Sequence, residues 1–393
     1  MATKVLDLDL AKPLPRLTGL QCHARALALL RWNGTPVGQV ALEVVGGRVL
    51  PAHLREAVRD GIPPLATRRL HDWLAWDESA ASGAQLPDVT VAVCTRDRSK
   101  DLGACLRALR RLPEDGQELI VVDNRSRGDE TRQVVESVGG ARYLREDAPG
   151  LNAARNRALR EARAEVVAFT DDDTVPDPGW LRALRRNFAD PFVACVTGLT
   201  FPLELETPAQ EWFERHCSFS RGFRRTVFGG ALQDPLAVGG VGAGANMAVR
   251  RSALEEVGCF DEALDAGTPT RSGGDNDLFS RLLARGFRIV YDPAALNWHR
   301  HRRTARELQD TLYGYGVGVY AAWTRALLVE GELGVPWHAW GWFRHGQLRA
   351  LARSLARRPG SVPPSLVLAE LRGCAAGPFA YVSSRLRLAR RGA

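Results

Sequence analysis

From residue 89 onward the chain alternates short β-branched runs with helical stripes, and this alternation restricts the fold more than any other feature. Val89–Cys94 (VTVAVC) reads as a buried strand. Ser99 reads as an N-cap, and Leu102, Leu106, Leu109 and Leu112 follow at helical spacing. Leu119–Val122 predicts a second strand, followed by a polar loop and a helix through Val134-Val135. Arg142–Leu144 predicts a third short strand, Asn152–Arg163 a helix, and Val166–Phe169 a fourth strand. Such an order builds βαβ units, hence an α/β fold with a mostly parallel sheet covered on both faces. Ligands of such sheets bind beyond the C-terminal ends of the strands. Thr95, Asp123-Asn124 and Asp171-Asp172-Asp173 all stand at those ends.

Several chemistries are excluded. The turn after the first strand, Thr95-Arg96-Asp97-Arg98, is too bulky for a dinucleotide-binding turn, and no GxxxxGK[ST] run exists. The seven cysteines are scattered and form no CxxC, which argues against a disulfide framework or a thiolate zinc site and fits a reducing compartment. The N-terminal MATKVLDLDLAKPLPRL carries acids early and predicts no secretory signal. No apolar run reaches the ~18 residues of a membrane span. A cytoplasmic location is therefore expected.

The formal net charge is +8, and it is unevenly placed. From Thr304 to the end there are 12 arginines against five acids, whereas the preceding residues hold 41 basic and 40 acidic side chains. A near-neutral body argues against a nucleic-acid partner. The basic end suggests an anionic membrane surface instead.

Three regions follow. Residues 1–85 read as a small α+β domain. It holds a hairpin over Ala26–Val45 turning at Asn33-Gly34, a helical stretch Ala52–Trp76 interrupted at Gly61-Ile62-Pro63-Pro64, and a polar linker from Asp77. Residues 86–303 carry the α/β pattern. Residues 304–393 form a basic helical segment, in which Gly314 and Gly318 suggest close helix packing. There Trp337, Trp340, Trp342 and Phe343 precede Leu348, Leu351 and Leu355, with Arg349, Arg353 and Arg357 alongside. That pattern fits a helix lying on a membrane surface, or one packed on the protein with a solvated arginine face.

The polar clusters carry the chemistry. Three adjacent carboxylates at a strand end repel one another unless a cation such as Mg²⁺ or Mn²⁺ neutralises them. The alternative is a solvated acidic turn. Asp123 could accept from a nucleobase N–H or cap the next helix. Arg155 could face a base or a diphosphate, or form a surface salt bridge. His299 and His301 could ligate Mn²⁺, or belong to a basic HRHRR surface that holds phosphate. The loop Gly239–Ala245 could close over a ligand or make tight turns.

In order, VTVAVCTRDR, LIVVDNRS, GLNAARNRA, FTDDDTVPDPGWL, GAGANMAVRRSALEEVGCFDE and GGDNDLFSRLLARGFRIVYDPAALNWHRHR resemble the family 2 glycosyltransferases. The resemblance runs from Val89 to about Arg303 and implies the GT-A nucleotide-sugar-binding fold. It implies that Thr95 and Asp123 line a nucleoside pocket with Arg155 nearby. Asp171 and Asp173 match the outer carboxylates of the family's DxD element, which hold the donor ribose and the metal, and Asp172 takes its variable middle. Asp275 matches the general base of a Glu-Asp pair whose Glu is replaced here by Gly274; Asp277 is the alternative, set against it because Asp277 can pair with Arg281. His299 would complete the metal shell, ahead of His301. The implied partners are a nucleoside-diphosphate sugar donor and a glycan, lipid-linked or small-molecule hydroxyl acceptor, with inversion at the transferred carbon. The competing classes are a non-catalytic nucleotide-sugar-binding module and a nucleotidyltransferase.

Overall fold

A computed structural model describes residues 2–61, 86–230, 233–358 and 360–392. The N-terminal part is a three-stranded sheet, β1 (Ala2–Asp9), β2 (His23–Trp32) and β3 (Thr35–Glu43), backed by α1 (Pro51–Gly61). The predicted hairpin is present as β2–β3. Asn33 at φ 50° and Gly34 at φ 80° supply the two left-handed residues of its turn. Strand β1 pairs parallel with β2. The remainder of the predicted Ala52–Trp76 helix and most of the linker lie outside the described residues.

The alternating pattern folds as β4 (Val89–Thr95), α2 (Ser99–Leu109), β5 (Glu118–Asn124), α3 (Glu130–Val138), β6 (Arg142–Glu146), α4 (Leu151–Glu161) and β7 (Val166–Asp171). Ser99 is the first residue of α2 rather than its cap; Arg98 holds the cap position without a side-chain bond to the backbone. There follow β8 (Thr174–Pro176), α5 (Trp180–Arg185), β9 (Val193–Pro202), α6 (Pro208–Cys217), β10 (Thr226–Phe228), β11 (Asn246–Arg250), α7 (Arg251–Val257), α8 (Gly274–Ala284) and β12 (Arg288–His299). The main sheet runs β10-β12-β9-β11-β7-β4-β5-β6, with β8 paired to β12. Strands β10, β11 and β8 run against the rest, so the sheet is mostly parallel.

Period-two alternation covers both faces of this sheet. Ile120, Val122, Val167 and Phe169 pack with α4, α7 and α8 through Ala154, Leu254 and Leu278. Val91, Val93, Val121 and Ala168 pack with α2 and α5 through Leu102, Leu106, Trp180 and Leu184.

The C-terminal region is helical. It comprises α9 (Ala305–Arg325), α10 (Val335–Trp342), α11 (Leu348–Leu355) and α12 (Pro364–Gly392), with π-turns at Ala326–Glu330 and Phe343–Gln347. Of the two glycines expected to pack closely, Gly318 does, a Cβ there falling against Ser272, whereas Gly314 is in ordinary contact with Arg271; the seam with α12 is instead at Gly316. A Cβ on Gly316 would lie 2.3 Å from the Glu370 carbonyl, so α9 and α12 meet backbone to backbone. Among the described residues no helix is long and apolar enough to cross a membrane.

Candidate active site

Strand β7 delivers the acidic triplet. A tight turn follows it, closed by Thr174 Oγ1 donating to the Asp171 carbonyl at 2.7 Å. Strand β8 then pairs with the end of β12, placing Thr174 opposite His299. Strand β12 reaches that far because it continues past Pro293, with a register break between Asp292 and Asn297 that absorbs the proline. Asp171, Asp173 and His299 thereby bring one ligand atom each to within 4.8 Å of one another.

Asp172 turns the other way. It accepts from Thr95 Oγ1 at 2.7 Å and from Arg98 Nη1 at 2.8 Å. The second arm of Arg98 donates to Asp173 Oδ2 at 2.8 Å, and Arg302 lies 3.5 Å from the same oxygen. Burial, with Asp173 adding to it, pushes the Asp171 carboxyl up to about 6. Burial likewise pushes Asp172 up to about 7, against the pull of Arg98. Burial also acts upward on Asp173, but neighbouring positive charge, from Arg98 and Arg302 and from His299 when it is protonated, outweighs it and holds this carboxyl below its ordinary value. Burial lowers His299 to about 4, so its imidazole is neutral at pH 7.

His299 is held from behind. Its Nδ1 lies 3.1 Å from His301 Nδ1, and His301 Nε2 lies 3.0 Å from Glu214 Oε2 on α6. Both rings sit against Phe219, and Phe213 stacks on His301. The Glu214 carboxylate accepts, so His301 Nε2 donates to it. In the arrangement where both rings carry one proton, His301 Nδ1 accepts from His299 Nδ1–H. This leaves the His299 Nε2 lone pair facing Asp173 Oδ1 at 3.3 Å. Asp173 Oδ1 is buried and has no hydrogen-bond donor. Two buried acceptors aimed at each other beside a second carboxylate form a donor set that suits a divalent cation. The residues present therefore fit a metal.

Arg155 and Asp275 flank this cluster. Arg155, on α4, is buried, donates to Asp265 Oδ2 at 2.9 Å and lies over the Phe260 ring. Asp275, in the first turn of α8, is half-buried and accepts from the Gly244 N–H at 2.8 Å. Gly244 must be glycine, because a Cβ there would stand 2.7 Å from Arg155 Nη2 and 3.2 Å from Asp275 Cβ. Of the loop Gly239–Ala245, the part from Val241 on is buried, as the tight-turn alternative expects, while Gly239 and Gly240 are exposed with nothing within 4 Å of a Cβ. Gly274 also has a reason: its Cβ would lie 2.6 Å from Asp265 Oδ2 and 2.3 Å from Asn152 Nδ2. Asp265 reaches this place by adopting φ 80°.

Asp123 is fully buried one strand away, in register with Thr95. It accepts from the Ser126 N–H and the Tyr143 hydroxyl, both at 2.8 Å. Asp277 lies apart from the triplet: Arg281 holds one oxygen at 2.9 Å and Arg325 the other at 3.0 Å. It borders a cavity of about 430 Å³ between α8, α9 and α10, walled by Leu236, Val238, Trp323 and Trp342. The sequence reading did not single out Arg98, Glu214 or Asp265. Only Arg98, three residues beyond Thr95, stood near a recognised strand end.

Residues 90–258 match the model of glycosyl transferase family 2. The pre-mycofactocin glycosyltransferase of Mycobacterium tuberculosis is 33% identical over 292 residues, covering 72% of this chain and 59% of that protein. The O-antigen chain rhamnosyltransferase of Salmonella typhimurium is 26% identical over 205 residues, covering 51% and 62%. This chain therefore spans less than two thirds of either relative's length. Among solved structures, a Pyrobaculum calidifontis mannosyltransferase in complex with GDP-Man and Mn²⁺ is similar at TM-score 0.46 and 19% identity, covering 84% of this chain and 83% of that one.

Proposed function

Through residues 90–258 the chain belongs to glycosyltransferase family 2, and from that premise we propose that it transfers a sugar with inversion from a nucleoside-diphosphate sugar to an acceptor hydroxyl, with a divalent metal. The observation that carries this reading is the convergence of Asp171, Asp173 and His299 beside a buried Arg155 and a half-buried Asp275.

Asp171, Asp173 and His299 would hold Mn²⁺ or Mg²⁺. When bound, such an ion neutralises charge on the diphosphate leaving group. Thr95 and Asp123 would seat the nucleoside, with Asp172, bonded to Thr95, and Asp171 bordering the donor beside them. Arg155, kept cationic by Asp265, adds fixed positive potential where the leaving group gains charge. Asp275 takes the acceptor proton as the acceptor oxygen bonds to the anomeric carbon. The bond from that carbon to the diphosphate oxygen breaks on the opposite face, its electron pair leaving with the diphosphate. The pairing of both Asp277 oxygens to arginines supports Asp275 as the base. The acceptor is a glycan, a lipid-linked sugar or a small molecule. Seven unpaired cysteines support a cytoplasmic location.

The test is a panel of sugar nucleotides with Mn²⁺, following the released product. Metal-dependent release of nucleoside diphosphate on adding an acceptor supports the proposal. Pyrophosphate release would mean nucleotidyl transfer, and metal-dependent binding without turnover would mean a non-catalytic module. Asp275→Asn is expected to bind donor and lose transfer; a dead Asp277→Asn beside an active Asp275→Asn would reassign the base.

A further inference from the structure

The polypeptide from α10 to α11 is one continuous helical run that buries the polar Gln347 and Ser354 on its inner side and leaves several of its large apolar residues exposed. Gln347 is buried, donating to Cys374 Sγ and accepting from the Tyr320 hydroxyl. Ser354, also buried, donates to the Val362 carbonyl at 2.6 Å. Trp337 is 79% exposed, Trp340 53%, Leu348 40% and Leu355 66%. Val335 and Ala339 pack inward, but Leu348 and Leu355 do not cover the protein's core.

The outward residues stay in line. Trp337 and Trp340 are three apart, and Leu348 and Leu355 seven apart, both helical spacings. Trp340 and Leu348 are eight apart, one more than two turns. The π-turn Phe343–Gln347 lies between them and takes up the extra residue. Arg344, Arg349, Arg353, Arg357 and Arg358 are all exposed along the same run, and from Trp337 to Arg358 there is no acidic residue. Leu328, Val329 and Leu333 add exposed apolar surface at the near end.

We propose that this face docks on an anionic lipid bilayer, with Trp337, Trp340, Leu348 and Leu355 entering the headgroup boundary and the arginines pairing with lipid phosphates. Tryptophan suits that boundary because its ring has an apolar body and a polar N–H. A run of arginines without acids is complementary to anionic headgroups and not to a neutral surface. The surface is remote in sequence from the metal cluster, so the docking stands or falls independently of the sugar-transfer reading.

The experiment is co-sedimentation of the full chain with vesicles of phosphatidylcholine alone or mixed with phosphatidylglycerol, at low and high salt. Pelleting is expected with phosphatidylglycerol only, and weaker at high salt because the Debye length is short there. Trp337→Ser/Trp340→Ser is expected to abolish pelleting without lowering the melting midpoint, since both rings are exposed. Arg349→Gln/Arg353→Gln/Arg357→Gln is expected to weaken affinity on the order of a hundredfold, at roughly fivefold per arginine. Phe192→Ser, an exposed aromatic outside this segment, is the control expected to pellet as the wild type does. Absence of lipid-dependent pelleting, or pelleting unchanged in both variants, would overturn the proposal. So would a lipid-free dimer that Trp337→Ser/Trp340→Ser dissociates, which would make a second copy of the chain the occupant.

Discussion

At the scale of single residues, the candidate site depends on two side chains that come from far away in sequence. Glu214 lies 87 residues from His301, and Asp265 lies 110 from Arg155. Glu214 fixes the direction of the imidazole pair, so Glu214→Leu is expected to weaken Mn²⁺ binding by about 10–100-fold, the usual effect of losing such a support. Glu214→Gln keeps an acceptor oxygen and is expected to retain most of the affinity. Manganese titration followed by electron paramagnetic resonance reads both, and equal losses would mean that Glu214 only packs. The same titration has a predictable pH dependence. Asp171 takes a proton near 6, so affinity is expected to fall as pH drops through that value, while His299 stays a neutral ligand down to about 4. Asp265 is the carboxylate ion-paired to the buried Arg155, and Asp265→Asn is expected to cost about 3–5 kcal/mol in denaturant unfolding, as broken buried pairs do. The carboxylate triplet was legible in the sequence because a strand pattern leads into it. Glu214 and Asp265 were not, because local spacing carries no trace of a partner that arrives from another element. Gly274 is the one local sign: where the family resemblance implies a Glu, the vacated space is filled by Asp265 and Asn152.

At the scale of elements, periodicity revealed what is local and missed what is paired at a distance. The βαβ order and the Asn33-Gly34 turn could be read because side-chain alternation and positive φ are properties of short segments. Strand β12 could not be followed to His299, because Pro293 interrupts its pattern and only the break in pairing beyond Asp292 lets the strand resume. Strand β1 depends on a parallel partner beyond an intervening loop, which nothing within the strand specifies. The glycine-rich stretch of α9 was legible as closely packed through Gly314 and Gly318, but the residue that meets α12 is Gly316, and that seam makes a quantitative prediction. Gly316→Ala places a methyl 2.3 Å from the Glu370 carbonyl, and forcing α9 from α12 is expected to cost about 1–3 kcal/mol. Gly341→Ala in α10 meets nothing within 4 Å and is expected to stabilise by up to about 1 kcal/mol, because alanine loses less backbone entropy in a helix. Urea unfolding of the two variants separates these effects, and the same sign for both would contradict the seam.

At the scale of the whole molecule, the N-terminal sheet is tied to the strands that build the candidate metal site. Leu29 of β2 is fully buried among Leu199, Phe201, Tyr291 and Leu296 of the main sheet. Arg31 on the same strand donates to Asp177 at 2.6 Å, just past β8, the strand that sets Thr174 opposite His299. Thr3 of β1 forms an antiparallel bridge with Leu205, three residues past the end of β9. These contacts are apolar and buried where they are most numerous, so the N-terminal sheet and the α/β sheet are expected to unfold together rather than as beads on a linker. Leu29→Ala removes a side chain at their shared core, with an expected cost of about 2–5 kcal/mol. Against a total stability of about 5–15 kcal/mol, that is enough to lower the melting midpoint of the whole chain. Scanning calorimetry is expected to show one transition in the wild type and one, shifted down, in the variant, with Mn²⁺ affinity reduced in parallel as β8 loses its support. A separate early transition in the variant, with the main transition and the metal titration unchanged, would show instead that the N-terminal sheet is an independent unit resting on the site without shaping it.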